Sequence, residues 1–328
     1  MPPRSPHRRS HRMPHRRSSG VPHCLGSGAS GRTKAPRRGR TTIDTPAPGL
    51  GPARPRTRRR SDGSPSARAL LLTVLGEYVR WPGQDRVWST AVVAALRACG
   101  VEGTAARRAI TRLTNEGWLT TEPTGRYTRL VLTPRLVRLL TGWTERLTRA
   151  MRETPWNGQW QQLLLQAPAG PERAIVEEQL AFEGFGPLGH GVWIAADPGG
   201  VGALRAMLTE LGLAEDATWL VSTVADDPAR ERALVARAWD LAAVRRLHED
   251  FLSRFAGAQP GGDAEAFVLR TRLVHAWRLT FEGDPRLPAW LLPPDWPGGE
   301  ATTLFRHTWE TCHEAADRCW AELSRDPR

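Results

Sequence analysis

The chain is poor in cysteine: of 328 residues only Cys24, Cys99, Cys312 and Cys319 carry a thiol, and no two of them have CxxC spacing. That excludes a disulfide framework as the organising principle. Cys312 and Cys319 stand seven residues apart with His307 and His313 nearby, and thiols two helical turns apart cannot chelate one ion unaided, so no metal site is expected. No apolar run reaches the ~20 residues of a membrane span, and the arginine-rich start lacks the apolar stretch of a secretory signal. A cytoplasmic protein with no membrane partner is expected. HExxH, GxSxG and Walker motifs are also missing, so no catalytic residue is assigned and the chain is not expected to be an enzyme. Gly184, Gly186 and Gly189 have GxGxxG spacing, but they follow a helical stretch and precede a strand, the reverse of a dinucleotide-binding turn. No cofactor is expected.

What is present is charge, unevenly placed. Residues 1–65 hold 16 Lys and Arg against 2 acids, and residues 66–152 hold 14 Arg against 6 acids. The remainder reverses the sign, with 16 basic and 26 acidic residues. A basic front attracts a polyanion because neutralised phosphates release counterions, and an acidic back repels the same partner. Charge alone leaves DNA, RNA and anionic lipid open.

The length allows two or three cores. Residues 1–65 are rich in Arg, Pro, Ser and Gly with few aliphatics, so a disordered basic tail is expected. It reads either as an arginine arm that adds DNA affinity or as an upstream extension from a misassigned translation start. Residues 66–152 hold helical patterns over 66–79, 90–99 with Ser89 as cap, and about 104–117. Strands at 118–122 and 127–132 follow, joined by a turn at 123–126, and then a helix from Pro134 to about Arg152. That order predicts a winged helix-turn-helix. Residues 153–226 alternate strands at 160–165, 191–196 and 217–224 with helices at 171–182 and 201–211, which predicts a ferredoxin-like α/β domain. Residues 227–328 read as mainly helical, interrupted at 260–262 and 285–298. The fold class expected is α+β.

On a helical wheel, residues 104–115 place Ala106, Ala109, Ile110 and Leu113 on one side and Thr104, Arg107, Arg108, Thr111, Arg112 and Asn115 on the other. Arg can bind guanine O6 and N7 through two hydrogen bonds, Asn can do the same for adenine, and Thr can meet a phosphate or a thymine methyl. Arg107, Arg108, Thr111 and Arg112 are the base-edge candidates. Arg126 and Arg129, on the hairpin, would meet the backbone or the minor groove. Such arginines can equally form a solvated helix face, but the order of three helices and a hairpin on the most basic folded segment favours double-stranded DNA.

Several stretches carry a family resemblance: Arg68 to Val79; Arg107-Arg-Ala-Ile-Thr-Arg-Leu113 with Glu116-Gly-Trp-Leu119; Trp156-Asn-Gly-Gln-Trp160; and Gly184-Phe-Gly-Pro-Leu188 with Gly191-Val-Trp-Ile194. Arg237-Ala-Trp-Asp-Leu241, Leu273 to Arg278, Asp284 to Pro288 and Leu292 to Gly298 continue it. With these the chain, from about Ser66 to Leu323, resembles the PaaX family of repressors of phenylacetate catabolism. The resemblance implies a homodimer on a palindromic operator, released by an aryl-CoA thioester such as phenylacetyl-CoA, and a middle domain shaped like the small CRISPR-associated nucleases. Arg107 and Arg112 match basic positions of the family's recognition helix. Arg108 stands where a smaller residue is common, and the arginine tail departs from the family. Trp193, Trp277 and Arg278 are the expected effector-binding residues, since an aryl group wants an aromatic wall and a CoA phosphate wants Arg. Two rival functions are an arginine-driven, nonspecific nucleic-acid-binding protein and an acyl-CoA-using enzyme whose winged helix is only structural. The first strand, Trp160 to Ala167, offers no acidic metal ligand for nuclease chemistry.

Overall fold

The computed structural model describes residues 65–150, 156–166, 170–224, 227–281 and 284–327. The expected basic tail lies outside the described residues except for Pro65, as do Cys24 and the segment that would have carried the fourth helix to Arg152.

Helix α1 (Ala67–Val74) starts at Ser66, whose hydroxyl accepts the Ala69 N–H at 3.2 Å. Its residues Arg68 to Val74 are all buried, so it is a central helix with no solvent face. It continues as a π-helical turn over Leu75–Arg80, which the Trp81-Pro82-Gly83 stretch ends. A short strand, β1 (Arg86–Trp88), leads directly into α2 (Ser89–Ala98). Here the expected cap is corrected: Ser89 is the first helical residue, and Trp88 takes the cap position without a side-chain bond, because pairing with a later strand keeps it extended. Helix α3 (Gly103–Asn115) follows after a four-residue turn. Both α2 and α3 end on a left-handed glycine, Gly100 at φ 86° and Gly117 at φ 73°. In each, the next N–H reaches back to the last turn, Val101 to the Leu96 carbonyl and Trp118 to that of Leu113, both at 2.9 Å.

Strands β2 (Leu119–Thr124) and β3 (Tyr127–Leu132) form the hairpin, and β1 joins its other side to give an antiparallel sheet in the order β1-β3-β2. Thr133 then donates its hydroxyl to the Trp118 carbonyl at 3.0 Å before Pro134 opens α4 (Pro134–Ala150).

The middle segment runs β4 (Trp160–Leu164), α5 (Pro171–Phe182), β5 (Gly186–Gly189), β6 (Val192–Ala195), α6 (Val201–Glu210) and β7 (Thr218–Ser222). Its antiparallel sheet has the order β5-β6-β4-β7, with the first strand inside, the split arrangement of a ferredoxin-like domain. Strand β5 is not among the strands that the sequence alternation predicts. It pairs with β6 through a two-residue turn in which His190 (φ 51°) and Gly191 (φ 76°) are both left-handed, as tight hairpins require. Gly186 is needed for another reason. A Cβ there would stand 2.5 Å from Trp239 Cε2 and 2.7 Å from the Ala238 carbonyl.

Helices α7 (Pro228–Ala238), α8 (Leu241–Phe255), α9 (Asp263–Phe281) and α10 (Gly298–Leu323) complete the chain. Phe251 and Phe255 of α8, Leu273 and Trp277 of α9 and Phe305 of α10 share a core, but the four helices also reach into others. Leu163, Val176, Leu180 and Leu204 fill the space between the four-stranded sheet and α5 and α6, whereas Trp160 and Ile194 on its other face pack against Val235 and Ala238 of α7 and against Leu287 and Leu291. Phe267 of α9 and Cys312, Ala316 and Cys319 of α10 join the core of α1, α2 and α3. No helix among the described residues is long and apolar enough to cross a membrane.

Candidate nucleic-acid interface

Helix α3 divides by face. Ala106, Ala109, Ile110 and Leu113 are buried against α1 and α2, and Thr104, Arg107, Arg108, Thr111, Arg112 and Asn115 are exposed. Fully burying a side chain such as Leu113 contributes about 1.5–3 kcal/mol, so the aliphatic side fixes the helix's rotation and leaves the other arc outward. The helix contains no acid between Gly103 and Asn115. Among the described residues no carboxylate forms an ion pair with Arg107, Arg108 or Arg112, although the Arg112 charge helps to hold the Glu116 carboxyl down. Thr111 spends its hydroxyl proton on the Arg107 carbonyl at 3.1 Å, leaving its oxygen lone pairs and methyl facing out.

One basic neighbour escaped the sequence reading. Arg97, exposed on the last turn of α2, brings its Cδ within 3.8 Å of where a Gly103 Cβ would be, and Arg107 Nη1 lies 3.5 Å from the same point. Arg97 and Arg107 therefore flank the start of α3 together. The signal was available: Arg97 lies six residues before the first helical residue of α3, with Gly100 folding the chain back between them.

The hairpin presents its two arginines differently. Arg126 is exposed at the turn, with its guanidinium carbon 5.0 Å from the Tyr127 ring centroid. Arg129 is half-buried, 4.3 Å over the Trp88 ring and opposite Glu122 in the ladder. Arg129 is thus partly committed to its own sheet, and Arg126 is the freer of the two.

The far end of α3 is held by a partly buried ion pair. Arg68 of α1, 8 % exposed, donates Nη1 to Glu116 Oε1 at 2.8 Å and Nη2 to Oε2. This two-pronged bond holds the Glu116 carboxyl below the usual carboxylate range, the Arg68 hydrogen bonds being the main cause. Behind α1, the π-helical turn aims Glu77 at Arg270 of α9, whose Nε donates at 2.8 Å, and at Trp309 Nε1, also at 2.8 Å. Arg270, 1 % exposed, also donates Nη1 to Asp317 Oδ1 of α10 at 2.6 Å. The helix that supports α3 is therefore pinned to both long C-terminal helices.

The three residues expected to bind an effector are not brought together. Trp193 lies on β6, half-buried against the core under α5 and α6. Trp277 and Arg278 lie in α9, within other packing: Trp277 stacks on Phe305 at 4.8 Å, and the Arg278 guanidinium sits 3.6 Å over Trp143 with Nη1 donating to Thr73 Oγ1 at 3.3 Å. The cavity beside Trp277 and Arg278 has a volume of about 30 Å³. That suits one water, whereas a cavity known to admit benzene measures about 150 Å³. The pairing of an aromatic wall with an arginine exists here, but it is filled by the protein's own rings.

Cys99, Cys312 and Cys319 are free and buried thiols. Among the described residues no group of three His, Cys, Asp or Glu side chains is placed to hold a metal ion.

Three family models match in succession: PaaX-like protein over residues 66–136, PaaX protein central Cas2-like domain over 153–235, and PaaX-like protein C-terminal domain over 239–322. The chain belongs to the PaaX family of transcriptional regulators, which are not enzymes. It is 27% identical over 261 residues to the transcriptional repressor PaaX of Escherichia coli (strain K12), covering 76% of this chain and 82% of that protein. A solved structure, the uncharacterized protein Rv0674 from Mycobacterium tuberculosis, is 24% identical with a TM-score of 0.48, covering 77% of this chain and 98% of that one.

Proposed function

We propose that the protein is a cytoplasmic, DNA-binding transcriptional repressor of an aromatic, phenylacetate-type catabolic operon. The observation that carries this is the exposed arc of α3, with three guanidiniums, two hydroxyls and an amide on a helix whose opposite side is buried. In this reading residues 66–152 are a winged helix-turn-helix. Helix α3 lies in the major groove, Arg107, Arg108, Thr111 and Arg112 reach base edges, and Thr104 and Asn115 contact the ends of the site. The hairpin is the wing, with Arg126 on the phosphate backbone and Arg129 bracing it, and Arg97 adds a phosphate contact beside the start of α3. The protein acts as a homodimer on a two-fold operator. An aryl-CoA thioester such as phenylacetyl-CoA releases it by binding the non-operator conformation more tightly.

The test is equilibrium binding of the full chain to a duplex from its own upstream region, set against a scrambled duplex of the same length. Arg112→Ala is expected to cost ~1–3 kcal/mol on the upstream duplex and little on the scrambled one. Equal affinity for the two duplexes would overturn the repressor reading in favour of nonspecific arginine-driven binding.

A further inference from the structure

A cavity of about 970 Å³ opens behind the turn between α2 and α3. That is the size of a small-molecule site, which runs from about 300 to 1,000 Å³. Its apolar lining comes from Leu70 of α1, Val101 of the turn, Phe255 of α8, and Val268 and Leu269 of α9. Cys99 adds a neutral surface, because burial pushes its thiol up to about 11. Arg254 and Arg272, both exposed, also line the cavity. Among the described residues Glu265 is the one acid of the lining, and its Oε2 accepts the Gly261 N–H at 2.8 Å. Two guanidiniums against one carboxylate leave the opening net positive, over an apolar interior. Those are the two halves of a site for an organic anion.

The position of the cavity gives such a ligand a consequence. Gly100 and Val101 line it and lie just before Gly103, the first residue of α3. Arg272 spans from α9 to this turn, with Nη2 donating to the Cys99 carbonyl at 3.4 Å. An anion at the opening competes for Arg272 and draws it off that carbonyl, while the ligand's body presses on Val101. Both actions fall on the start of α3, where Arg107 and Arg97 stand. No aryl-sized space exists beside Trp277 and Arg278.

We infer that this cavity is the effector site. It takes an organic anion whose aryl or acyl body lies against Val101, Phe255 and Leu269, whose charge is met by Arg254 and Arg272, and whose binding shifts α3. The inference rests on the repressor reading only for the effect on DNA; occupancy of the cavity stands by itself.

The experiment uses the full chain and two dyes, an anilinonaphthalene sulfonate and its uncharged phenylnaphthylamine counterpart, followed by fluorescence titration without DNA. Two variants are compared with the native chain. Ala264→Trp fills the cavity from an exposed helical position, Arg272→Ala removes a guanidinium, and thermal melts establish that both are folded. Saturable sulfonate binding is expected, weakened at least about tenfold in both variants and for the uncharged dye. Equal sulfonate binding by the native chain and the folded variants would overturn the site, and equal binding of the two dyes would overturn its preference for anions. With the upstream duplex, saturating sulfonate is expected to lower DNA affinity by about 5- to 150-fold in the native chain and not in Ala264→Trp. Unchanged DNA affinity despite dye binding would overturn the coupling. A chain that never prefers the upstream duplex refutes the repressor reading, and the dye titration still decides the cavity.

Discussion

The arginines of α3 and those behind α1 are the same residue put to opposite uses. Arg107, Arg108 and Arg112 are exposed and form no ion pair with a carboxylate among the described residues, Arg112 acting on Glu116 only through its charge. Arg68, Arg146 and Arg270 are buried, and their donors are directed at Glu116, at the Asp284 carbonyl at 3.1 Å, and at Glu77 and Asp317. A guanidinium has five donors in a fixed fork. Where those donors are used inside the protein the residue joins elements; where they are left to solvent the residue is available to a phosphate or a base. Net charge cannot separate the two, since both groups count equally toward +12. Burial and pairing can.

The largest test of this contrast is Arg270→Met. Removing one partner of a buried pair leaves Glu77 uncompensated at 5 % exposure, so the variant is expected to lose about 3–5 kcal/mol of stability in a denaturant titration. A loss under about 1 kcal/mol would erase the distinction. Next in size is the mirror experiment. Arg112→Ala is expected to leave stability within about 0.5 kcal/mol of the native chain while it weakens binding to the upstream duplex, so the two variants fail in opposite assays.

A smaller effect tests Arg68 through its partner. Glu116 has a depressed folded-state pKa, so its contribution is present above the unfolded value of about 4.3 and is lost as pH falls through the folded value. Glu116→Gln is therefore expected to be less stable than the native chain at pH 7, with the gap closing below about pH 4. Its side chain is 35% exposed, so water screens part of the gain and the gap is modest. A gap that stays constant down to pH 3 would show that the pair holds α3 by shape and not by charge.

The division of α3 was legible in its sequence, because an amphipathic helix of 13 residues encodes its buried side in one local pattern. So was the strand and helix alternation of the middle segment. What was not legible depends on distant partners. Strand β1 is three residues long and exists because β3, more than forty residues later, pairs with it. The Gly-Pro-Leu-Gly segment of β5 lacks strand-forming residues and is set by its turn and by the fit of Gly186 against Trp239. The sequence of α9 says that it is apolar on several sides but not which core each side enters. It enters two, through Phe267 and Trp277, and that is why an aromatic and arginine pair suggestive of a ligand site proves to be packing. The cavity behind the α2–α3 turn is bounded by residues from four helices, and no local pattern announces it.

The smallest expected effect separates the two arginines of the hairpin. Arg126 is exposed, and its nearest aromatic contact is the ring of its own neighbour. Arg129 is half-buried over Trp88 and faces Glu122. If pairing decides use here as proposed for α3, Arg126 is the phosphate contact and Arg129 the brace. Arg126→Ala is then expected to reduce the slope of log affinity against log salt by about 1 on the upstream and scrambled duplexes alike. Arg129→Ala is expected to leave that slope alone and to lower the melting temperature slightly, through the lost cation–π contact, which is worth about 0.5–1 kcal/mol at an exposed site. The reverse pattern, with the slope moved by Arg129→Ala and not by Arg126→Ala, would mean that the hairpin meets DNA with its Trp88 face and not with its turn.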